Sequence, residues 1–236
     1  MVSTLHPQPL RAHRVAPAAG ARGGIVLLPG LRETDESVLE LAHRLAEQRY
    51  LVMVPELVGS LGLDPAAAAA AEQSWHEVDH DDSVSDVLTL VKGPDYSRWA
   101  VRALRATVTV LSREPGVDER IAVIGYGTGG GLAFTIASAD PRVRLALAYD
   151  SVGTDIDLVE NIKGAAVSFY AADNVAAAQS LPDLRAAMRR AGVPFCAKPY
   201  PARHLSLTDL VTPRPHGSVA GDLWQRSLAM LRLHLV

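Results

Sequence analysis

Short apolar runs alternate with amphipathic stretches along most of this chain. Six runs predict strands, at residues 24–28, 51–54, 121–124, 143–150, 165–170 and 194–200, and several of them end abruptly at glycine or proline. Runs of this length without alternation are typical of parallel strands buried on both faces. Between them, apolar residues recur at helical spacing, as at Val38, Leu41 and Leu45. The alternation predicts an α/β fold with a doubly wound, mostly parallel sheet and helices on both faces.

The pattern indicates one main domain with two less regular parts. Residues 1–22 contain Pro7, Pro9 and Pro17, and we expect a loose arm or an edge strand near residues 10–15. Residues 23–236 form the domain. Within it, the pattern is confused at about 58–96, where Pro65 precedes six alanines and an acidic stretch follows. We expect a lid or a loop-rich insertion there. Further helices are predicted at 97–113, 181–191 and 224–235, and a first helix is capped by Thr34 or Asp35.

Composition narrows the class of protein. The chain is 48% hydrophobic and 21% charged, with a formal net charge of −3 and scattered basic residues, so no nucleic-acid partner is expected. No apolar run approaches the ~20 residues that cross a bilayer, and residues 1–24 lack the apolar segment of a signal peptide. The single cysteine, Cys196, excludes an internal disulfide and fits a reducing compartment. We expect a cytoplasmic protein that binds a small molecule, with no membrane partner; its oligomeric state is open.

The most informative stretch is residues 121–131, where an apolar run enters a glycine-dense turn and a second apolar stretch follows. Gly125, Gly127 and Gly129 have the spacing of the nucleophile elbow of α/β-hydrolases, G-x-S-x-G, which is a tight strand–turn–helix. The central residue of an elbow normally carries the nucleophile. Here it is Gly127, so the sequence predicts the scaffold of the elbow with a vacant nucleophile position.

Other candidate residues follow the predicted strands, because functional groups in parallel sheets lie beyond the carboxyl ends of the strands. Asp173 and His204 come after the elbow in the order of an α/β-hydrolase triad. In such a triad the acid orients the imidazole, which moves protons. Asp150 is an alternative acid for His204. The alternative for Asp173 and Asn174 is a helix cap, and for His204 an ordinary loop histidine.

These features together resemble the dienelactone hydrolase family. The resemblance covers most of the chain from Gly24 onward and is carried by residues 25–30, 50–57, 123–130, 170–174 and 200–204. The elbow of that family contains G-Y-C-x-G-G, and the same frame here reads Gly125-Tyr126-Gly127-Thr128-Gly129-Gly130. The resemblance implies a single-domain α/β-hydrolase fold, with the family aspartate and histidine at Asp173 and His204. It also implies that the backbone amides of Leu31 and Thr128 stabilise an oxyanion.

The chain departs from the family at three functional positions. Gly127 removes the covalent nucleophile. The family glutamate after the first core strand, which governs ionisation of the cysteine, falls on or near Gly30 and is absent. The arginine that follows the family histidine and holds a substrate carboxylate is replaced by residues 206–208, Ser-Leu-Thr. A small lactone with a free carboxylate is therefore not the expected substrate.

Three other residues carry a group that could replace the missing nucleophile. Thr128 is expected to point into the helix and to supply only its amide. Cys196 lies in mid-strand and is expected to be core. Ser151 follows a strand end and is more typical of a loop cap. Five residues near the strand ends are expected to contact substrate: Gly30, Arg32, Tyr126, Asp150 and Ser151.

No metal site or cofactor is expected. His76 and His80 are four residues apart within an acidic segment, but no third well-spaced ligand lies nearby, so a solvated surface segment is the favoured interpretation. The three tryptophans, Trp75, Trp99 and Trp224, are expected to pack in the core or the lid.

Two hypotheses about function follow. In the first, His204 and Asp173 perform acid/base chemistry on a carbonyl, ester or lactone without a covalent intermediate, by isomerisation, epimerisation, cyclisation or water-mediated hydrolysis. Gly127 would then leave room for the substrate or a water molecule. In the second, the chain is a non-catalytic pseudo-hydrolase that binds a ligand or a partner. The loss of the nucleophile and its glutamate favours the second hypothesis, whereas the retained Asp173 and His204 favour the first.

Overall fold

The computed structural model describes residues 9–31, 34–75, 81–151, 155–203, 205, 210 and 218–235. In these residues the chain forms one sheet, in the spatial order β1-β3-β2-β4-β5-β6-β7. The strand β1 pairs with β3 in antiparallel orientation, and the other neighbours are parallel. The strands are β1 (Ala12–Val15), β2 (Gly23–Leu28), β3 (Tyr50–Pro55), β4 (Ile121–Tyr126), β5 (Val143–Tyr149), β6 (Ala165–Ala171) and β7 (Phe195–Tyr200).

Helices cover both faces of this sheet, which confirms the predicted doubly wound α/β fold. The first and last helices described pack on one face, and the fifth, sixth and seventh pack on the other. The helices are α1 (Glu36–Glu47), α2 (Leu57–Leu61), α3 (Pro65–Gln73), α4 (Asp82–Lys92), α5 (Pro94–Ser112), α6 (Thr128–Ala139), α7 (Val175–Ala191) and α8 (Val219–Leu235). A short 3₁₀ helix, Ile156–Asn161, lies between β5 and β6.

The central strands explain why the hydrophobic pattern lacks alternation. In β2, Ile25 and Leu27 face the core shared with α1 and α8, whereas Val26 and Leu28 face the core shared with α5, α6 and α7. Successive side chains of a strand point to opposite faces, and here both faces are covered. Every residue of β2 is therefore buried, and a continuous apolar run results.

The segment between β3 and α5 differs from the loop-rich insertion expected at about 58–96. Its described residues are mainly helical and, with Leu31, form a separate small apolar cluster from α2, α3, α4 and the beginning of α5. The helix α3 begins at Pro65, because the side chain of Asp64 accepts a hydrogen bond from the Ala67 amide at 2.8 Å. The weakly amphipathic helix start expected after Pro65 is present as α3. The helix α4 was missed although Val84, Val87, Leu88 and Val91 recur at helical spacing. His76 and His80 lie outside the described residues.

Two helices begin earlier than their apolar stripes predict. Asn174 caps α7 by accepting a hydrogen bond from the Ala177 amide at 2.9 Å, so the helix begins at Val175 and not at residue 181. The last helix begins at Val219 instead of residue 224. The edge strand expected near residues 10–15 is present as β1. None of the helices in the described ranges combines the length and apolarity needed to cross a bilayer.

The prediction that Cys196 is core is wrong. Cys196 is exposed, because β7 is the last strand of the sheet and its residues are only partly covered. The tryptophans are partly buried, as expected: Trp224 packs against the core on the α1 face, and Trp75 and Trp99 pack against the small α3–α4 cluster.

Candidate functional site

The turn between β4 and α6 has the backbone geometry that the glycine spacing predicts. Gly127 has φ +53° and ψ −121°, a conformation that residues with a side chain rarely adopt, and α6 begins at the next residue, Thr128. The turn is also tightly packed. A Cβ on Gly129 would lie 2.9 Å from the Gly30 nitrogen, so the turn after β4 lies directly against the turn after β2. A positive φ at the central residue and a close approach of the two turns are the properties of a nucleophile elbow.

Two backbone amides converge on one carboxylate at this point. The strands β2 and β4 are neighbours, so Leu31 and Thr128 lie side by side beyond their carboxyl ends. The Leu31 amide donates to Oε2 of Glu72 at 2.7 Å, and the Thr128 amide donates to Oε1 at 2.8 Å. The Thr128 hydroxyl donates to Oε2 at 2.7 Å. We call the Leu31 and Thr128 amides the two-amide site; in this structure it holds the side chain of Glu72.

The expectation that the room beside Gly127 is left for a substrate or a water molecule is not met in this conformation, in which Glu72 lies there. A Cβ on Gly127 would overlap Oε1 of Glu72, and a Cβ on Gly30 would lie 2.8 and 2.9 Å from the two carboxylate oxygens. Glu72 therefore fills the room that the missing side chain leaves. The expectation that Thr128 points into the helix is also wrong, because the hydroxyl faces Glu72. A carboxylate brought close by α3 offers that hydroxyl a charged acceptor.

Electrostatics favour an anion at this position. The first amides of a helix are unpaired and carry partial positive charge, and Gly127 has no side chain with which to cap α6. Glu72 caps α6 from a different helix. Nearby, burial raises the pKa of the Tyr96 hydroxyl, and the charge of Glu72 raises that pKa further. Tyr96 therefore stays protonated and uncharged beneath the site.

Asp150 connects the neighbouring strand ends. It is buried at the end of β5, with φ +46°. Its Oδ1 accepts hydrogen bonds from the Ala171 amide at 2.8 Å and from the Asn174 side chain at 3.3 Å, and its Oδ2 accepts from the Leu205 amide. Asp150 thus joins the end of β6, the start of α7 and the residue that follows His204. These bonds indicate a positioning role for Asp150.

The described residues include only part of the predicted triad. Asp173 lies exposed in the turn between β6 and α7. His204 and Arg32 lie outside the described residues, so the choice between Asp173 and Asp150 as the partner of His204 stays a prediction.

Two cavities flank the turn. One of about 160 Å³ lies beside Gly30 and is lined also by Thr34, Glu56 and Leu57. The other, of about 30 Å³, is lined by Phe134, Ser151 and Tyr170 among others. The Ser151 hydroxyl is buried beside Gly130 and has no hydrogen-bond partner among the described residues. Tyr126 is half-buried at the end of β4.

Glu72 is the functional candidate that sequence reasoning missed. It is separated from Leu31 by 41 residues and from Thr128 by 56, and no motif spacing relates them. The available signal was a lone carboxylate directly after six alanines, in a segment without clear periodicity.

Comparison with known proteins agrees with this architecture. Residues 10–235 match the model of the dienelactone hydrolase family. A protein of Escherichia coli (strain K12) with the provisional name carboxymethylenebutenolidase is 23% identical over 220 residues, which cover 86% of this chain and 74% of that protein. The carboxymethylenebutenolidase of Pseudomonas sp. (strain P51) is 29% identical over 143 residues, or 60% of this chain and 55% of that protein.

A solved structure with a dienelactone hydrolase description has a similar fold. A structure from Klebsiella pneumoniae, provisionally described as a dienelactone hydrolase, superimposes with a TM-score of 0.74 at 22% identity, and the match covers 94% of this chain and 92% of that one. At this identity the likeness shows the fold alone. The match of the family model over nearly the whole chain shows more: this chain belongs to the dienelactone hydrolase family.

Proposed function

We propose that this chain is an enzyme that acts on a small ester, lactone or other carbonyl compound without a covalent intermediate. One observation carries the proposal: the Leu31 and Thr128 amides converge on a single carboxylate directly beside Gly127. The two amides hold the two oxygens of one carboxylate, and neighbouring N–H donors of this kind are suited to a carbonyl oxygen that becomes negative in a transition state. The donors of the binding half of a hydrolase site are thus present, with Glu72 on them in this structure, and residue 127 has no side chain that could attack.

The proposed chemistry needs a base, and His204 oriented by Asp173 supplies it. In hydrolysis, the imidazole takes a proton from water while the water oxygen bonds to the carbonyl carbon. The π electrons of the carbonyl move to its oxygen, which the two-amide site holds. When the tetrahedral intermediate collapses, the leaving alkoxide takes the proton from the imidazolium.

The same groups support reactions without water. If the imidazole takes a proton from the carbon next to the carbonyl, the two-amide site holds the enolate oxygen. Return of the proton to the opposite face gives epimerisation, and return to a conjugated carbon gives isomerisation. In cyclisation the enolate carbon bonds to a second carbonyl carbon of the substrate, the π electrons of that carbonyl move to its oxygen, and this oxygen takes the proton from the imidazolium. Loss of one oxyanion donor in related acyl-transfer chemistry costs about 10²–10³-fold in rate, so these amides have a substantial expected effect.

The remaining predicted contacts have separate proposed roles. Gly30 and Tyr126 border the strand ends at which a substrate would lie, and Arg32 would meet its polar groups. Asp150 would position the segment that carries His204, because its carboxylate binds the Leu205 amide. Ser151 would contact substrate only from the small cavity that it lines.

A non-catalytic ligand-binding protein is the second candidate. The position of Glu72 supports it, because a carboxylate that accepts from both amides leaves neither of them available to a substrate oxygen. Measured turnover of an ester or lactone would distinguish the enzyme from the non-catalytic binding protein.

The test is a screen of lactones and aryl esters with the wild-type protein, followed by His204→Ala and by His43→Ala as an exposed histidine control on α1. We expect His204→Ala to lose about 10²-fold or more of the turnover and His43→Ala to keep it. Intact mass measured during turnover should show no acyl adduct. Full activity in His204→Ala would refute the proposed mechanism, and ligand binding without turnover would favour the second candidate.

A further inference from the structure

We propose that Glu72 is a displaceable occupant of the two-amide site, so that ligands reach the site only when its carboxylate leaves the Leu31 and Thr128 amides. This inference rests on the proposed function in one respect, since the site that Glu72 closes is the one assigned to the substrate oxygen.

The hydrogen bonds show that Glu72 and a ligand oxygen exclude each other. Leu31 and Thr128 each have one amide hydrogen, and each hydrogen is directed to a Glu72 oxygen at 2.7 or 2.8 Å. A carbonyl or carboxylate oxygen that takes the same donors must replace the Glu72 carboxylate. Binding of such a ligand and withdrawal of Glu72 are therefore one coupled equilibrium.

Residue 127 makes this arrangement possible. A Cβ at position 127 would overlap Oε1 of Glu72, so a residue larger than glycine and the observed position of the carboxylate exclude each other. Gly127 thus has a second consequence besides the loss of a nucleophile: it permits an internal carboxylate to occupy the site.

The packing of α3 is compatible with displacement. This nine-residue helix buries the methyl groups of Ala67, Ala68 and Ala71 and no larger side chain. It belongs to the small cluster shared with α4 and not to the two cores that flank the sheet. Its displacement would uncover apolar residues of that small cluster and would leave the two cores that flank the sheet in place.

The chemistry of the donors defines the ligand class. Two amides and one hydroxyl hold a carboxylate here, so a small monocarboxylate such as formate or acetate is the ligand that should replace Glu72 when its side chain is removed. Both anions are small enough to occupy the space beside Gly127.

The experiment is a thermal-unfolding titration with sodium formate and sodium acetate at pH 7, with sodium chloride at equal ionic strength as the salt control. The variants are Glu72→Ala, Glu72→Gln and the double variant Glu72→Ala/Gly127→Ala, in which the new methyl group fills the same space. We expect a saturable rise of Tm in Glu72→Ala, a smaller rise in Glu72→Gln, and little response in the wild type and the double variant. The apparent Kd for acetate should fall by about tenfold or more from wild type to Glu72→Ala, as a lower population of the closed state requires.

Equal responses of the wild type and Glu72→Ala, whether both bind or neither binds, would overturn the proposal. Failure of both Glu72→Ala and Glu72→Gln to fold would also overturn it, because Glu72 would then be a fixed structural cap. The readout involves no turnover, so the outcome is independent of the His204→Ala assay that tests the proposed function.

Discussion

Glu72 and Gly127 fit together as a pair: an oxygen of the Glu72 carboxylate lies where a side chain on residue 127 would begin. The two residues are far apart in the chain and meet only because α3 reaches the carboxyl end of β4. Glu72 also takes hydrogen bonds from Thr128, the neighbour of Gly127. The effect of a substitution at either residue on stability and activity should therefore depend on which residue occupies the other position.

Removing the carboxylate should lower stability moderately. In Glu72→Ala the Leu31 and Thr128 amides lose a charged acceptor, and we expect a loss of about 1–2 kcal/mol in the free energy of unfolding. Gln73→Ala is the matched control, because Gln73 is the exposed next residue of α3, and we expect it to stay within about 0.5 kcal/mol of wild type. Urea unfolding measures both values. An unchanged stability in Glu72→Ala would show that these hydrogen bonds are not maintained in solution.

A nucleophile at position 127 should work only after Glu72 is removed. Gly127→Cys alone should be destabilised and nearly inactive toward p-nitrophenyl acetate, because the new side chain competes with the carboxylate for one space. Gly127→Cys/Glu72→Ala should recover stability relative to the sum of the single changes and should gain burst-phase acylation. Stopped-flow release of p-nitrophenolate measures the burst.

The coupling between these two substitutions is the decisive quantity. Residues in direct contact typically couple by about 0.5–3 kcal/mol in a double-mutant cycle. If the changes in unfolding free energy for Gly127→Cys and Glu72→Ala simply added in the double variant, residues 72 and 127 would not be in contact.

Asp150 and Asp173 should separate into a structural and a chemical role. Asp150→Asn places an amide group against backbone N–H donors at the Ala171 and Leu205 positions, and we expect a loss of about 2–3 kcal/mol in stability. Faster hydrogen exchange of the Leu205 amide should accompany it. Asp173→Asn, at an exposed position, should leave stability within about 0.5 kcal/mol while lowering turnover. The reverse pattern would assign the chemistry to Asp150.

Acid should destabilise the protein partly through Asp140. Burial alone would raise the pKa of this carboxyl, but hydrogen bonds and charge from Arg142, with the charge of Arg105, outweigh burial and lower it. A carboxyl whose pKa is lower in the folded state stabilises the protein at any pH above its pKa in the unfolded state, which is about 3.9. That stabilisation disappears as the pH falls through the pKa of the folded state. Asp140→Asn should therefore be less stable at neutral pH and should lose less stability between pH 5 and pH 3.

Urea unfolding at several pH values checks this dependence. Asp118→Asn is the control, because Asp118 also pairs with an arginine, Arg120, but its side chain is 72% exposed. If Asp140→Asn lost as much unfolding free energy as wild type between pH 5 and pH 3, Asp140 would be excluded as a cause of the acid destabilisation.

Much of the fold was predictable because it follows from local pattern. The apolar runs that became β2, β3 and β4 are each continuous and bounded, and the stripe of Val38, Leu41 and Leu45 faces the core as predicted. The turn at residues 125–129 was predictable for the same reason, since only small residues permit so close an approach of the β4–α6 turn to β2. Cys196 was misplaced because a strand pattern does not state whether the strand lies at the edge of the sheet.

The resemblance of the sequence to the dienelactone hydrolase family implied a pair of amides at Leu31 and Thr128, and the parallel pairing of β2 with β4 places these residues beyond the same edge of the sheet. The sequence by itself determined that residue 127 has no side chain for attack. Only the tertiary structure decided what occupies that space. The position of Glu72 depends on how α3 packs across the turn after β4. The hydrophobic pattern of the sequence does not show where a helix with an alanine face packs, so it could not bring Glu72 to Thr128, 56 residues away.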